Sequence, residues 1–243
     1  VRPMYDRLAN NNDYPSDLVV TGSEAQELVD NARAWTDTAM VVISRFSKEN
    51  ADRTGAPNDG DFYLSLEEQK LVADVCACFE DVVVVLNVGG MVDTSWFINE
   101  PKIKSVLLAW QGGMEGALAQ ADILCGDVNP SGKLTDTFAA AFADYPSSEN
   151  FNESDDYVEY TDDIFVGYRY FETIPGAAQK VNYPFGFGLS YTEFSVEPLN
   201  CQLTNGSIVL DVQVTNTGSC AGKEVVQVYS SAPGCRLTMP KYE

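Results

Sequence analysis

The stretch that decides the fold is Val82-Val-Val-Val-Leu86, an unbroken apolar run in which every residue but the last is β-branched. A strand that is apolar on both sides is typical of a parallel sheet covered by helices on both faces. Comparable runs occur before and after it, at Ala39–Ile43 and at Ile103–Ala109. The sequence therefore predicts an α/β fold with an open, mostly parallel sheet sandwiched by helices.

Helical patterns fill the intervals between these runs. A capping box, a serine followed three residues later by glutamine or glutamate, occurs at Ser23 and Ser65 and marks two helix starts. The first helix should end near Asp37, the second should run through Phe79, and a third is expected from Ala117 to Leu124. In the first helix the apolar residues at helical spacing are Leu28, Val29, Ala32 and Trp35.

One connection is much longer than the others, the polar loop Ser44–Asp61 with the sequence SRFSKENADRTGAPNDGD. It follows a predicted parallel strand, and open α/β sheets bind ligands at the carboxyl ends of their strands. Glu49 is our candidate for a catalytic acid, and Asp52-Arg53 is a candidate ion pair that would hold the loop. The alternative is an ordinary solvated glutamate beside an exposed ion pair.

The charge of the chain excludes several functions. Its 243 residues carry a formal charge of −21, with 36 acidic against 15 basic residues and no histidine. Such a field repels phosphate backbones and anionic lipids, so we expect no nucleic-acid and no membrane partner, whereas a neutral sugar is not repelled. Without histidine, acid–base chemistry falls to carboxylates, Tyr, Lys or Cys, and we expect neither a metal nor another cofactor.

The periodicity changes to two from about Tyr191 onward. Ile208–Thr215 and Glu224–Tyr229 alternate around the turn Asn216–Ser219, which predicts strand, turn and strand in the style of a β-sandwich. We therefore place a domain boundary at residue 190, with an α/β domain over 1–190 and part of an all-β immunoglobulin-like domain over 191–243.

Aromatic residues concentrate between positions 157 and 194. We interpret them as core packing in preference to a platform for sugar rings. The six cysteines show no CxxC spacing, and the sequence leaves open whether any of them is bridged. The location stays open between cytoplasmic and secreted, and cysteines without an obvious disulfide framework slightly favour a reducing, cytoplasmic one.

Several motifs together resemble those of glycoside hydrolase family 3, in the order in which that family carries them, over nearly the whole chain from about residue 20. Those that resemble its second domain are Leu86-Asn-Val-Gly-Gly90, Trp110-Gln-Gly-Gly-Met-Glu-Gly116, Ala121-Asp-Ile-Leu-Cys-Gly126, Val128-Asn-Pro-Ser-Gly-Lys-Leu134, Ile164-Phe-Val-Gly-Tyr-Arg-Tyr-Phe171 and Tyr183-Pro-Phe-Gly-Phe-Gly-Leu-Ser-Tyr-Thr192. Asn216-Thr-Gly-Ser219 through Gly222-Lys-Glu-Val-Val-Gln-Val-Tyr229 is similar to the fibronectin-type-III-like domain of the family.

The resemblance implies a retaining, exo-acting β-glycosidase, with β-glucosidase as the leading activity. In that family a (β/α)₈ barrel carries the aspartate nucleophile, and a loop reading Ser-Gly-Glu-Gly-x-Asp-Arg supplies the acid/base glutamate. Here Ser47-Lys-Glu-Asn-Ala-Asp-Arg53 matches this loop, which implies that Glu49 is the general acid/base and that Asp52 and Arg53 support it. Lys48 and Asn50 replace the flanking glycines.

No stretch of this chain resembles the barrel, its aspartate or the first strand of the α/β domain. The resemblance therefore implies a piece of a longer protein, with a β-glucoside or related oligosaccharide as substrate and an absent barrel domain as partner. We expect this piece to be inactive alone.

Two alternatives from other classes stay open. One is a non-catalytic carbohydrate-binding or scaffold module with an ordinary loop glutamate. The other is a nucleotide-binding protein that uses Gly112-Gly113-x-x-Gly116 at a helix start, although this run lacks the GxGxxG spacing and a P-loop lysine.

Overall fold

The structure, a computed structural model, describes residues 22–45, 53–151 and 153–229. These residues form two compact units. The first comprises the described residues up to Gly116 together with Phe138–Thr161, and the second comprises Ala117–Thr137 together with the described residues from Asp162 onward. In the described part of the chain, none of the helices has the length and apolar character needed to cross a membrane.

A parallel sheet of three strands, ordered β1-β2-β3, forms the centre of the first unit. The strands are β1 (Thr38–Ser44), β2 (Asp81–Asn87) and β3 (Ile103–Leu108), each within one residue of its predicted bounds. Val82 and Val84 on the central strand are 0% exposed, as a strand covered on both faces requires. The predicted α/β fold with a parallel sheet is confirmed.

The helices of this unit are α1 (Gly22–Arg33), α2 (Leu66–Cys78) and the single turn α3 (Ser95–Ile98). The capping box of α2 is confirmed, because the Glu68 amide donates to Ser65 Oγ at 3.2 Å and the Ser65 amide donates to Glu68 Oε2 at 2.9 Å. This cap satisfies two amides at the start of the helix that have no partner within it.

Both predicted ends of α1 are wrong. The helix already includes Ser23, which therefore cannot be its N-cap, and it stops at Arg33 instead of near Asp37. Trp35, predicted to continue the apolar face, is 90% exposed. The early end has a tertiary cause, because the carbonyl of Asp37 accepts from the amides of Glu80 at 3.0 Å and Asp81 at 3.3 Å and so turns the chain into β1.

The second unit contains the α-helices α4 (Gly116–Cys125, which starts at the last residue of the first unit) and α5 (Tyr168–Thr173) and a long antiparallel hairpin. The hairpin pairs β6 (Phe194–Thr204) with β7 (Ser207–Asn216). Its two-residue turn, Asn205-Gly206, has φ angles of 52° and 80°, the left-handed conformation that a type I′ turn requires. The short strands β4 (Phe138–Ala139), in the first unit, and β5 (Val181–Tyr183), in the second, complete the strands described.

The predicted strand Ile208–Thr215 is confirmed within β7, but the strand predicted at Glu224–Tyr229 is wrong, since this stretch has no regular secondary structure. Side chains hold the preceding segment instead of a strand ladder. Asn129 Nδ2 donates to the carbonyl of Ala221 at 3.0 Å, and the Lys223 amide donates to Ser131 Oγ at 3.1 Å. Within the described residues, the antiparallel pair β6–β7 follows the α/β part of the chain in sequence, which agrees with the predicted part of an all-β domain.

The aromatic residues between 157 and 194 range from buried to exposed. Phe165 and Phe171 are buried, which confirms the core interpretation for them, whereas Tyr157 and Tyr160 are among the exposed ones, which contradicts it for these two. Several others are half-buried. Each cysteine that the structure describes is a free thiol, namely Cys76, Cys78, Cys125, Cys201 and Cys220.

We expect Glu224→Gln to destabilise the second unit in a pH-dependent way. Lys133 Nζ lies 3.0 Å from Glu224 Oε1, and both side chains are 15% exposed. The hydrogen bond from the Val225 amide, and then Lys133, hold the pKa of Glu224 below its usual value. Because the folded pKa is the lower one, this stabilisation is present at neutral pH and is lost as pH falls through that pKa.

The expected loss in the free energy of unfolding is about 1 kcal/mol at neutral pH. Urea titrations of the wild type and the variant should show the difference at about pH 7, and the difference should disappear once the pH falls below the lowered pKa of Glu224. Glu80→Gln is the control, since Glu80 is 66% exposed and its ion pair with Lys102 should contribute less to stability. A destabilisation that persists unchanged at acid pH would contradict the electrostatic origin.

Candidate active site

The carboxyl ends of the three parallel strands lie along one edge of the sheet. β1 and β2 continue past their ends in register, because the Arg45 amide donates to the Asn87 carbonyl at 2.9 Å. On the other side of β2, the Ala109 amide donates to the Leu86 carbonyl at 2.9 Å. The loops that follow each strand therefore start side by side at this edge, which is where open α/β sheets place their sites.

Glu49 and Asp52 fall in the segment 46–52, outside the described residues, so their positions stay predictions. The residues on either side of this segment, Arg45 and Arg53, are both described. Their contacts show how the two ends of the segment are held.

Arg45 is a buried cation, 8% exposed, with a carboxylate partner. Its Nη1 donates to Glu68 Oε1 at 2.7 Å and its Nη2 donates to Glu68 Oε2 at 2.9 Å, a two-point contact that matches the fork of the guanidinium to the carboxylate. Its Nε donates to the carbonyl of Asp61 at 2.7 Å. A charge buried to this extent is tolerated because its donors are bound.

Glu68 has a second role at the same place. The oxygen that receives Arg45 Nη2 also accepts from the Ser65 amide, so one carboxylate closes the capping box of α2 and neutralises Arg45. A carboxylate at the first turn of a helix is favoured by the helix dipole. The start of the loop is thereby tied to the start of α2.

Arg53 holds the other end of the segment. Its Nε donates to Asp61 Oδ1 and its Nη1 donates to the Met91 carbonyl, both at 2.6 Å. Asp61 Oδ2 accepts from the Thr54 amide at 2.8 Å. A Cβ at Gly90 would lie only 2.8 Å from Arg53 Nη1, so the guanidinium occupies the space that a side chain there would need.

The partner of Arg53 in the structure is therefore Asp61, a residue that the sequence did not single out. Asp61 also joins the two ends of the segment, since its carbonyl binds Arg45 and its carboxylate binds Arg53. The predicted pair Asp52-Arg53 stays a prediction, because Asp52 is outside the described residues.

The chain after Asp61 leads into an aromatic cluster around the buried ring of Phe62. The ring of Phe62 is 5.4 Å from that of Phe142 and 6.2 Å from that of Tyr145, both in edge-to-face geometry. The Phe62 carbonyl accepts from the Asp93 amide at 2.8 Å, which links this cluster to the loop after β2. Asp61, which binds both Arg45 and Arg53, is therefore next to packed side chains. Packed surroundings of this kind hold functional side chains in a fixed position.

Two residues in the loops at the same edge have a positive φ. Trp110, just after β3, has a φ of 53°, and Asn58, in the loop after β1, has a φ of 62°. Asparagine adopts this left-handed conformation readily, but a bulky residue such as Trp110 rarely does, and such strained positions concentrate at functional sites.

Sequence reasoning found Arg53 and missed Arg45, Asp61 and Glu68. A signal existed for one of them, because the Ser65–Glu68 capping box places a carboxylate at a known helix start. Nothing local marked Arg45 as buried, and its contact with Glu68 spans 23 positions of sequence.

Comparisons with known proteins agree with this architecture. The family model described as "Glycosyl hydrolase family 3 C-terminal domain" matches residues 6–191. Beta-glucosidase A of Butyrivibrio fibrisolvens is 51% identical over 88% of this chain and 30% of its own length. A beta-glucosidase of Ruminococcus albus is 43% identical over 86% of this chain and 21% of its own length.

Solved structures show the same relationship. A beta-glucosidase from Paenibacillus barengoltzii has a TM-score of 0.79 and 36% identity, and covers 90% of this chain. Beta-glucosidase 3B from Thermotoga neapolitana, in complex with alpha-D-glucose, has a TM-score of 0.73 and 32% identity over 89% of this chain. The chain spans 25% and 31% of these two proteins, respectively. It belongs to glycosyl hydrolase family 3, and the part of that family it matches is the C-terminal domain.

Proposed function

We propose that this chain supplies the general acid/base, Glu49, of a retaining, exo-acting β-glycosidase whose substrates are terminal β-linked glucosides. The observation that carries the proposal is the anchoring of segment 46–52 at both ends, by Arg45 and Arg53, at the carboxyl edge of the sheet. The family membership and the β-glucosidase activity named for the relatives support it.

The chemistry requires two carboxylates about 5–5.5 Å apart. The nucleophile would be an aspartate of a (β/α)₈ barrel domain, which attacks the anomeric carbon and forms a glycosyl-enzyme. Glu49 gives its proton to the departing glycosidic oxygen in this step. It then takes a proton from the water that releases the sugar, so that both groups return to their starting states.

The residues beside Glu49 bear on this role. A carboxyl that donates a proton near neutral pH needs a raised pKa, which burial against the barrel and the charge of the nucleophile would supply. A lysine at position 48 would act in the opposite direction if it lay beside Glu49, because a neighbouring cation favours the ionised carboxylate. Asn50 can adopt the left-handed backbone that glycine permits, whereas Lys48 does so poorly.

In this proposal Arg53 and Asp52 support the loop that carries Glu49 and do not take part in proton transfer.

The proposed domains are 1–190, which carries the acid/base loop, and 191–243, part of a fibronectin-type-III-like domain. The β6–β7 hairpin supports the second assignment, since antiparallel pairs of this kind build such domains.

The first test compares the β-glucosidase activity of residues 1–243 with that of the full-length gene product. Residues 1–243 alone are expected to give no hydrolysis of an aryl β-glucoside, because the nucleophile is supplied from elsewhere. The full-length gene product should hydrolyse it and release the sugar with retained configuration, as read by NMR. Measurable turnover by residues 1–243 would contradict the two-domain mechanism.

A carbohydrate-binding module is the second candidate, and one feature favours it. An open cleft of about 230 Å³ is lined by two aromatic and two amide side chains, Tyr63, Trp96, Asn58 and Gln69, with Pro57, Leu64, Asp93 and Ser95. Aromatic faces beside amides suit a sugar ring. Two results together would favour this candidate. Residues 1–243 would bind cello-oligosaccharides in calorimetry, and the full-length protein would not hydrolyse them.

A further inference from the structure

We propose that the cleft beside the start of α2 is a binding site for one neutral pyranose ring. Asn58 and Gln69 bind hydroxyl groups of this ring, and the side chains of Tyr63 and Trp96 cover its apolar face. The inference rests on the proposed function only for the choice of a β-glucoside as the sugar. No step of it involves Glu49, so the cleft has a ligand whether the chain serves a hydrolase or a binding module.

The first observation is a pair of amide side chains with fixed orientation. Gln69 Nε2 donates to the Leu64 carbonyl at 3.0 Å and to Asn58 Oδ1 at 2.8 Å. Because a carbonyl only accepts, the nitrogen of Gln69 must face Leu64, and this decides which atom of Asn58 it meets.

The same pair leaves two polar groups for a ligand. Asn58 Nδ2 and Gln69 Oε1 have no hydrogen-bond partner among the described residues, and both side chains line the cleft. One is a donor group and the other an acceptor. Two neighbouring hydroxyl groups of a sugar can satisfy both, since a hydroxyl donates as well as accepts.

The second observation is that the two aromatic rings of the cleft are held by hydrogen bonds. Tyr63 Oη accepts from the Phe142 amide at 3.2 Å, and Trp96 Nε1 donates to the Asp93 carbonyl at 2.9 Å. Both rings are half-buried and line the cleft. A side chain that is already held loses little freedom when a ligand binds, and an aromatic ring offers a large apolar surface to the C–H face of a sugar.

The charge of the cleft determines which sugars it accepts. Among the lining residues that the structure describes, only Asp93 is charged, and it is 7% exposed. Its carboxylate accepts from the amide of Ser95 at 2.9 Å and from the hydroxyl of Ser95 at 2.8 Å. A uronic acid or a phosphorylated sugar would be repelled by this carboxylate, because no cation lines the described cleft to offset it.

The size of the cleft agrees with a single ring. Its volume is about 230 Å³. Pockets for drug-sized ligands measure about 300–1,000 Å³, so this cleft suits a smaller group that is held by a few polar contacts.

The test is a titration of the full-length gene product with a thio-linked methyl β-cellobioside, followed by saturation-transfer NMR. The sulfur of this ligand accepts a proton poorly, so the ligand resists hydrolysis. A dinitrophenyl fluoroglucoside first blocks the active site as a glycosyl-enzyme, which intact-protein mass spectrometry verifies. We expect the blocked protein to bind the ligand with a Kd of about 1 mM. Absence of saturable binding would overturn the inference.

Two variants test the residues. Asn58→Gly removes the amide and suits the backbone, since Asn58 has a φ of 62° and glycine adopts such angles freely. Gln69→Ala removes the acceptor and places a strong helix former in α2. Each should raise Kd about 5- to 10-fold. An unchanged Kd in both would place the ligand elsewhere and overturn the assignment.

The matched control is Lys70→Ala on the same helix. Lys70 is next to Gln69, but its exposed side chain pairs with Asp74 and does not line the cleft, so Kd should not change. Methyl β-glucuronide tests the charge argument and should show no binding. Binding of the glucuronide as tight as that of the neutral ligand would overturn the neutral-sugar assignment.

The blocking step separates this inference from the proposed function. If the fluoroglucoside does not label the protein, the mechanism with a glycosyl-enzyme fails, and the same titration is read on the unlabelled protein and its variants. If labelling succeeds and the blocked protein does not bind, the cleft assignment fails while the proposed function stands.

Discussion

Glu49→Ala in the full-length gene product is expected to lower kcat for β-glucosides with poor leaving groups by about 10²- to 10⁴-fold. Without the proton donor, the departing oxygen leaves as an alkoxide, and the first step becomes slow. Substrates with good leaving groups still form the glycosyl-enzyme but then wait for an unassisted water. Rates measured across a series of aryl glucosides should therefore depend steeply on the pKa of the leaving group.

Added azide is the decisive second measurement for this variant. Azide is an anionic nucleophile that needs no general base, so it should attack the accumulated glycosyl-enzyme and restore turnover of good substrates. The product should be the β-glucosyl azide, with the configuration of the substrate. Asp59→Asn, an exposed carboxylate in the same loop, is the control and should show neither effect. Equal rates for Glu49→Ala and the wild type on poor substrates would favour the binding module.

Phe62→Ala is expected to produce the largest loss of stability, about 3–5 kcal/mol in the free energy of unfolding. Phe62 is 5% exposed and its ring makes edge-to-face contacts with Phe142 and Tyr145. The substitution removes a buried ring and leaves a cavity that the surrounding rings cannot fill. Equilibrium urea unfolding, followed by far-UV circular dichroism, measures the change.

Phe151→Ala provides the matched comparison for this substitution. The ring centroids of Phe151 and Phe142 are 6.2 Å apart, but Phe151 is 45% exposed, so its removal leaves no closed cavity. We expect a loss below about 1 kcal/mol. A result in which Phe151→Ala costs as much as Phe62→Ala would show that the cluster is not the core of the first unit.

The sheet could be predicted because its signal is local and strong. Val82–Leu86 and its two counterparts are apolar throughout, and such runs have few stable alternatives to a covered parallel strand. The capping box at Ser65 is equally local, since its partners are three residues apart. These features do not depend on what the rest of the chain does.

The errors occurred where distant contacts override a local pattern. Helix α1 stops at Arg33 because Asp37 is bound to the start of β2, a contact that no helical periodicity reveals. The alternation at Glu224–Tyr229 has the period of a strand, but a strand needs a neighbour. Side chains of Asn129, Ser131 and Lys133 instead hold the chain from Ala221 to Glu224.

The sequence by itself determined the class of fold, the family and the candidate acid/base, because these follow from short motifs and their order. Tertiary structure alone decided how the residues flanking the segment with Glu49 are bound, since Arg45, Asp61 and Glu68 are ordinary polar residues until the fold brings them together. The physical reason is burial: an exposed arginine contributes little to stability, whereas a buried one is tolerated only when its donors are bound.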